Sequence, residues 1–536
     1  MTPGQPTEHP TSAALTPSAF YELGLAHMQA GRHLEAQLCC RNALAADPNH
    51  RDSLHLMGML CLQARQYNHA IEWVARANQQ DVASDYLFGL ATALEQQGLS
   101  QEALKAYDRA VQLRPDDAEL WAGRGTILHR LGRFDEAIAD NSHAHALSPA
   151  GPDICNNVGA SLQLLCRDEE ALAWFDKALT LKPDFVMSLI NKASSLAQLR
   201  RIDEAIAAYE QVKAMDPANT EADPYLALIY LLQGDFERGW AGYIARWNAF
   251  MRRESYPDFH DHLWLGKESI DGKTILVFAD EGFGDTIHFA RYVPMLAARG
   301  AKVVLVVEEP LRPLLARLEG VVQCLPKPAS SFPPFDLHCP ICMLPLAFGT
   351  RLDSIPAAPS YLPPPAQTRV RAWERRLSAH APAGNRPRVG LVWSGNPRHS
   401  NDHNRSIALR MLSPLLDADV SFVSLQKDAR PQDTALLPAS GIIDLTAEIT
   451  DFTDTAALMS CLDLVISVDT SAAHLAAALG RPTWILLPYL PDSRWLLDRD
   501  DSPWYPTARL FRQSARRDWA EVIERVRRAL HALVAG

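Results

Sequence analysis

The chain has 536 residues, 47% hydrophobic and 21% charged, which is enough for more than two domains with substantial cores. Its formal net charge of −11 argues against a nucleic-acid binder or a membrane-surface protein, because both need a basic surface. Nine cysteines without framework spacing, and no apolar run of about 18 residues, predict a soluble cytoplasmic protein with free thiols and no membrane span.

The first segment of the chain is a polar tail over residues 1–16, predicted to be disordered. It lacks the apolar stretch of a secretory signal and the pattern of a transit peptide.

Residues 17–250 repeat with a period of 34. Prolines recur at this spacing, at Pro115, Pro149, Pro183 and Pro217. Small residues fill three columns in register with them: Ala36, Ala70, Ala103, Ala137, Ala171 and Ala205; Gly24, Gly58, Ala91, Gly125, Gly159 and Ala193; Ala43, Ala77, Ala110, Ala144 and Ala178. Small side chains let two helices approach closely, and a proline just past the second helix ends it, so each unit is a helix–turn–helix.

This pattern resembles the tetratricopeptide repeat family, with about six units and a partial seventh. The resemblance implies an all-α superhelix whose groove binds a protein or peptide. The alternative is an arm for solubility or oligomerisation. An aromatic cluster over 234–247 predicts a capping helix that packs on the next domain, and residues 251–272 read as a linker.

The remaining chain alternates short apolar strands with helices, which predicts two doubly wound α/β lobes. The first lobe spans 273–370. Its predicted strands are 274–279, 301–307, 321–325 and 335–338, with one helix continuing through Leu296. The second lobe spans 386–536, after a proline-rich interlobe linker. Its predicted strands are 388–393, 420–425, 442–445, 462–468 and 483–488, with a basic helix over 515–534. Such lobes bind ligands at the carboxyl ends of their strands.

The strongest motif follows the strand 462–468 and begins a helix with Asp469, Thr470 and Ser471. A helix N-terminus presents free backbone N–H groups and a partial positive charge, and the two hydroxyls add donors. The stretch therefore suits the diphosphate of a nucleotide-sugar. An ordinary helix cap is the competing interpretation.

The stretch Asp469-Thr470-Ser471-x-x-His474-Leu475-Ala476-x-Ala478-x-Gly480 resembles the donor-binding segment of the family 9, ADP-heptose-type glycosyltransferases and their repeat-linked bacterial relatives. Glycine is common in the family where this chain has Ser471. The resemblance implies a GT-B-type fold and donor contacts from Asp469, Thr470, Ser471 and His474. It also implies catalysis without a metal, and no cofactor apart from the nucleotide-sugar itself.

A glycine-bearing turn in the first lobe, Gly282-Phe283-Gly284-Asp285, matches a turn that the family carries at the cleft. The resemblance makes Asp285 the candidate general base, which takes the proton of the acceptor hydroxyl. Gly282 and Gly284 let the backbone bend and approach the donor. Asp285 can also be read as a helix N-cap, and His288, one turn on, is the second candidate base.

Cationic residues lie in two loops of the second lobe. The polar loop 393–407 begins at Trp393, which we include among the donor-binding residues, and in the related family a cation in this loop meets the donor phosphates. Arg405 is the match, with Arg398 a weaker one. Lys427 follows another strand and resembles a further donor contact. A fixed cation stabilises the departing diphosphate, but each of these residues can also be a solvated loop charge.

Aromatic residues and prolines follow the last predicted strand, over 487–495 and 502–506. They predict either a wall for a base or sugar pocket or packing between the lobes. The nearby Asp498-Arg499-Asp500 has the D-x-D form of metal-dependent transferases, which we interpret as chance.

The sequence therefore predicts a glycosyltransferase that moves a sugar from a nucleotide-sugar to a hydroxyl with inversion, on a protein bound by the repeats. The layout is similar to that of the protein O-linked N-acetylglucosamine transferases, whose donor motifs this chain does not show. A lipopolysaccharide or surface-glycan acceptor, or a non-catalytic repeat scaffold, are the alternatives.

Overall fold

The structure, a computed structural model, describes residues 15–80, 86–216, 220–247, 256–257, 259, 262–329, 331–380, 386–399 and 401–535. The predicted tail up to residue 14, and residues 251–255, 258, 260 and 261 of the predicted linker, lie outside this part of the chain. The chain divides into two compact units, Met1–Leu196 and Ala197–Gly536.

The repeat region consists of helices joined by short turns. In chain order these are α1 (Pro17–Gln29), α2 (His33–Ala46), α3 (Arg51–Gln63), α4 (Tyr67–Gln80), α5 (Tyr86–Gln96), α6 (Ser100–Leu113), α7 (Ala118–Arg130), α8 (Phe134–Leu147), α9 (Pro152–Leu164), α10 (Asp168–Leu181), α11 (Val186–Gln198) and α12 (Ile202–Met215). The all-α first part of the predicted fold class is confirmed.

The small-residue columns mark where helices touch. Every alanine of the column that runs from Ala36 to Ala205 is fully buried. A Cβ atom added to Gly159 in α9 would lie 2.4 Å from Cε1 of Phe175 in α10, so only glycine admits that ring. The second helices of the later units end two residues before the column prolines. The intervening residues have φ between −134° and −142°, as expected for the residue before a proline.

Two more helices, α13 (Asp223–Gln233) and α14 (Phe236–Arg246), form a hairpin within the second unit. Gly234 turns the chain between them with a left-handed φ of +83°. Phe236 stacks on Trp504 with ring centroids 5.9 Å apart, and Trp240 is buried in the core shared with the α/β region. The hairpin therefore packs directly on the α/β part of the chain.

The first sheet contains β1 (Thr274–Phe278), β2 (Lys302–Glu308), β3 (Val321–Lys327) and β4 (Leu337–Pro340), all parallel, in the order β3-β2-β1-β4. Its helices are α15 (Phe283–Phe289), α16 (Val293–Ala298), α17 (Arg312–Leu315) and α18 (Leu344–Ala347). The helix predicted to run unbroken to Leu296 is interrupted by a 3₁₀ turn at Ala290–Tyr292. Pro294 has no N–H to donate to residue 290, which accounts for the break.

The second sheet contains β5 (Arg388–Val392), β6 (Ser421–Ser424), β7 (Leu464–Val468), β8 (Thr483–Leu487) and β9 (Ala508–Arg512), all parallel, in the order β6-β5-β7-β8-β9. Its helices are α19 (Gln367–His380), α20 (Asp402–Arg405), α21 (Pro431–Leu436), α22 (Phe452–Ser460), α23 (Ser471–Ala478) and α24 (Trp519–Ala535). The two parallel sheets confirm the α/β part of the predicted fold class.

One predicted strand of this region needs correction. The strand expected over 442–445 is only an isolated bridge between Val423 and Ile443, because a 3₁₀ turn starts at Thr446 and leaves too little extended chain. The edge strand β9 and the helix α19 were not predicted.

Among the described residues, no helix is both long and apolar enough to cross a membrane.

Candidate functional site

The carboxylate of Asp285 both caps a helix and faces a cation. It lies in the first turn of α15, where its Oδ2 accepts a hydrogen bond from the backbone N–H of Gly282 at 3.2 Å. Its Oδ1 accepts a hydrogen bond from Nη2 of Arg494 at 2.6 Å. The cap and the functional interpretation are therefore compatible, because each uses a different oxygen.

The glycine turn of the first lobe lies against the donor-like motif of the second. A Cβ atom added to Gly284 would come within 3.0 Å of Cδ2 of His474 and within 3.5 Å of Cα of Ser471. Helix α15 therefore approaches the N-terminal end of α23 closely, and a Cβ atom at Gly284 would require the ring of His474 to shift by a few tenths of an ångström. The structure brings together two motifs that lie nearly 190 residues apart in the sequence.

The donor-like motif lies at the carboxyl end of strand β7, at the cleft. Asp469 follows the strand directly, its carboxylate Oδ1 lies 3.6 Å from Nε2 of His474, and both side chains are largely buried. Burial works to raise the pKa of Asp469, but the contact with His474 and the charge of Arg494 outweigh it and hold that pKa below its ordinary value. Asp469 is therefore an anion. The Thr470 hydroxyl lies 3.1 Å from that of Ser467.

Arg494 is the functional residue that the sequence analysis left out of the site. It lies in a 3₁₀ turn after β8, where Asp492 accepts from its Nε at 2.7 Å. Its Nη1 lies 3.3 Å from Nε2 of His474, and Nη2 reaches Asp285. The sequence feature that could have identified Arg494 is its position after the carboxyl end of a predicted parallel strand, where ligand-binding loops occur.

Tyr505 joins the lobes through two histidines. Its hydroxyl lies 2.9 Å from Nδ1 of His288 in the first lobe and 2.8 Å from Nδ1 of His474 in the second. Burial, with the nearby charges of Arg291 and Arg494, holds the pKa of His288 well below its ordinary value, so this imidazole is neutral. His288 is thus part of a buried connection between lobes, and its role as a second base stays a prediction.

The aromatic residues after β8 pack between the lobes, one of the two alternatives that the sequence allowed. Arg291 of the first lobe donates to the backbone carbonyl of Trp504 at 2.7 Å, and its guanidinium lies 4.5 Å from the ring centroid of Tyr505. The ring of His288 lies 4.6 Å from that of Trp504. Trp504 also lines the cavity beside Asp285, so this segment contributes to both features.

The loop 393–407 begins at a core residue, and its later part lies beside the donor-like motif that follows β7. The indole of Trp393 is fully buried and donates to Asp433 at 3.1 Å, so this side chain anchors the start of the loop, and its donor contact stays a prediction. Nη1 of Arg405 donates to the backbone carbonyl of Asp469 at 3.2 Å, which places one predicted cation at the donor-like motif. Lys427 is exposed and donates to the carbonyl of Ile449. The donor contacts of both cations stay predictions.

A cavity of about 140 Å³ opens beside Asp285. One side is polar and comes from the two lobes: Glu281, Asp285, His288, His399, Asp492 and Arg494. The other side is apolar and comes from α13 and α14: Leu228, Leu231, Phe236, Trp240 and Tyr243. Sites for whole cofactor-sized ligands usually take roughly 300–1,000 Å³, so this cavity accommodates only part of such a ligand.

The sequence motif Asp498-Arg499-Asp500 does not belong to this cavity. Asp498 pairs with Arg200 at 2.5 Å, and the backbone carbonyl of Asp500 accepts a hydrogen bond from the N–H of Leu510. Within the described residues, no three His, Cys, Asp or Glu side chains are grouped so as to hold a metal ion.

Protein-family models match both parts of the chain. Tetratricopeptide repeat models match residues 17–50, 88–152 and 190–246, and the glycosyltransferase family 9 (heptosyltransferase) model matches residues 429–491. The chain thus carries tetratricopeptide repeats followed by a family 9 segment, and this pairing supports a glycosyltransferase with a repeat region. The family 9 match includes Asp469 and His474 and ends three residues before Arg494.

Individual relatives are similar to parts of the chain. Protein FlbA of Caulobacter vibrioides is 27% identical over 337 residues, which cover 58% of this chain and 54% of FlbA, so the chain spans about half the length of this curated relative. Similar solved structures include YrrB, a TPR protein with an unusual peptide-binding site (23% identity, 32% of this chain and 89% of YrrB, TM-score 0.25), and PilF of Pseudomonas aeruginosa (20% identity, 39% and 96%, TM-score 0.28).

Proposed function

We propose that the chain is a glycosyltransferase that transfers a sugar, with inversion and without a metal, from a nucleotide-sugar to a hydroxyl group. One observation carries the proposal: Asp285 of the first lobe lies within a network of hydrogen bonds and ion pairs that includes Arg494, His474 and Asp469 of the second. Asp285 and Arg494 both line the cavity, and Arg494 lies beside the donor-like motif through its contact with His474.

The chemistry assigns each group a step. Asp285 accepts the proton of the acceptor hydroxyl as its oxygen attacks the anomeric carbon. The bond from that carbon to the diphosphate breaks, and the leaving nucleoside diphosphate takes the electron pair. Arg494, Arg405 and the backbone N–H groups at the start of α23 supply positive charge for the leaving group, as a metal does in other transferases.

We propose a protein acceptor because repeat helices line the site. The tetratricopeptide match over 190–246 includes α13 and α14, whose apolar residues form one wall of the cavity beside Asp285.

The test is Asp285→Asn in the full chain. We expect transfer to fall by roughly 10²–10⁴-fold, since the amide cannot take the proton, while stabilisation by nucleotide-sugars in a thermal-shift panel of UDP-, GDP- and ADP-sugars persists. Asp498→Asn is the matched control and should leave transfer unchanged, because Asp498 pairs with Arg200 away from the cavity.

Three outcomes would contradict parts of the proposal. If Asp285→Asn transfers sugar at an unaltered rate, Asp285 is not the general base. Failure of every nucleotide-sugar and nucleoside diphosphate to bind favours a non-catalytic repeat scaffold. Transfer to isolated glycans but not to proteins or peptides would replace the protein acceptor with a surface glycan.

A further inference from the structure

Arg494 already has carboxylate partners on both sides of the cleft. Asp492, two residues earlier in the same turn, accepts from Nε at 2.7 Å and from the backbone N–H at 3.0 Å. Asp285 comes from the other lobe and accepts from Nη2 at 2.6 Å. The Arg494 side chain is only 17% exposed and that of Asp285 20%, so solvent screens their attraction weakly.

The two partners differ in how firmly they hold the guanidinium. Asp492 is tied to Arg494 by the local turn, and its carboxylate also caps that turn. Asp285 meets Arg494 only through the packing of the lobes, at the fork atom Nη2 that a phosphate oxygen would use. An arriving diphosphate therefore competes with Asp285 for the guanidinium, and Asp492 keeps Arg494 in place during the exchange.

We propose that Arg494 is a positioning residue for Asp285, a clamp that the donor releases; this rests on the proposed function. Without donor, Arg494 holds Oδ1 of Asp285 and occupies the lone pair that an acceptor hydroxyl needs. When the diphosphate binds, Arg494 turns to the phosphate and no longer holds Oδ1, which then accepts the hydroxyl proton. The base is thus available only when a sugar donor is in place.

The clamp predicts a specific energetic coupling between two residues in nucleoside diphosphate binding. Asp285→Asn removes the competing carboxylate, so the full chain should bind its preferred diphosphate about 3- to 10-fold more tightly, the scale expected for one partly buried ion pair. Arg494→Gln should weaken binding by about tenfold or more, because a charge-assisted contact is lost. In the double variant, Asp285→Asn should change the affinity by less than about twofold, because the cation for which it competes is absent.

The measurement is isothermal titration of UDP, GDP and ADP into the wild-type chain, the two single variants and the double variant, with far-UV circular dichroism to verify folding. Arg499→Gln is the control for loss of a positive charge in the same segment, because Arg499 pairs with the exposed Asp501. It should leave the affinity unchanged.

Three results separate the possibilities. Equal tightening by Asp285→Asn with and without Arg494 means simple charge repulsion and overturns the clamp. No tightening in the presence of Arg494 also overturns it. If the wild-type chain binds none of the three diphosphates, the proposed function itself fails and the clamp fails with it.

Discussion

Asp280, which follows β1 by two residues, is a buried acid whose ionisation opposes folding. Burial and the neighbouring charge of Glu281 raise its pKa from 3.8 to about 7, although the thiol of Cys342 donates to its Oδ2 at 2.7 Å. Because the folded-state pKa is the higher one, the stability from this group is complete below pH 3.8 and is lost as the pH rises to about 7. The loss amounts to about 1.4 kcal/mol per pH unit within that window.

We expect Asp280→Asn to remove this dependence. An amide does not ionise, so the variant should gain stability relative to the wild type between pH 4 and 7, and the difference should be constant above pH 7. Urea unfolding midpoints at intervals of half a pH unit measure it. A constant offset across the whole range would mean that Asp280 keeps an ordinary pKa in the folded chain.

Individual site residues were predictable where a motif fixes them locally. Asp285, Asp469 and His474 stand in short stretches that follow strands, so their position at the cleft follows from the strand pattern. Arg494 lacks such a motif, and its place in the candidate site is evident only from its contact with Asp285, 209 positions away. Tyr505 shares this property, because only the packing of the lobes brings its hydroxyl to both His288 and His474.

At the scale of elements, two helix glycines that look alike in sequence have opposite roles. A Cβ atom added to Gly159 would lie only 2.4 Å from the ring of Phe175, whereas one added to the exposed Gly89 in α5 would meet no atom of the described residues within 4 Å. Gly159→Ala should destabilise the chain by about 1–3 kcal/mol through overpacking. Gly89→Ala should stabilise it by about 0.5–1 kcal/mol, because alanine favours the helix.

Thermal unfolding of the full chain, followed by far-UV circular dichroism, compares the two variants. Shifts in opposite directions are expected. If both substitutions lower the melting temperature, α5 near Gly89 is packed more tightly than its exposed surface indicates.

The helices were predictable where the sequence pattern repeats, and the strands were predictable where they are continuous apolar runs. The 34-residue columns located the helix contacts because the same small residue is needed at each turn of the array. The bridge at Ile443 shows the opposite case, since three apolar residues and an aspartate next to a turn do not specify a strand. Strand β9 begins directly after a proline-rich segment, and its pairing with β8 depends on the fold of the lobe.

At the scale of the whole molecule, the compact division falls between Leu196 and Ala197, within α11. The repeat pattern runs on to about residue 250 because the sequence period does not change there. What changes is the packing: α13 and α14 bury Phe236 and Trp240 in the core of the α/β region. A sequence repeat indicates how neighbouring helices contact each other, but it does not indicate to which compact unit those helices belong.

This division predicts two thermal transitions that respond to different perturbations. A nucleoside diphosphate at about 100 times its dissociation constant adds about 2.7 kcal/mol to the unit that binds it, so it should raise only the transition of residues 197–536. Gly159→Ala, in residues 1–196, should lower only the other transition, because compact units with separate cores unfold separately. Differential scanning calorimetry of the wild-type chain and of this variant, each with and without ligand, tests both shifts. A single transition that moves with ligand and substitution alike would mean that the two units unfold as one, and that donor binding at the cleft is energetically linked to the repeats.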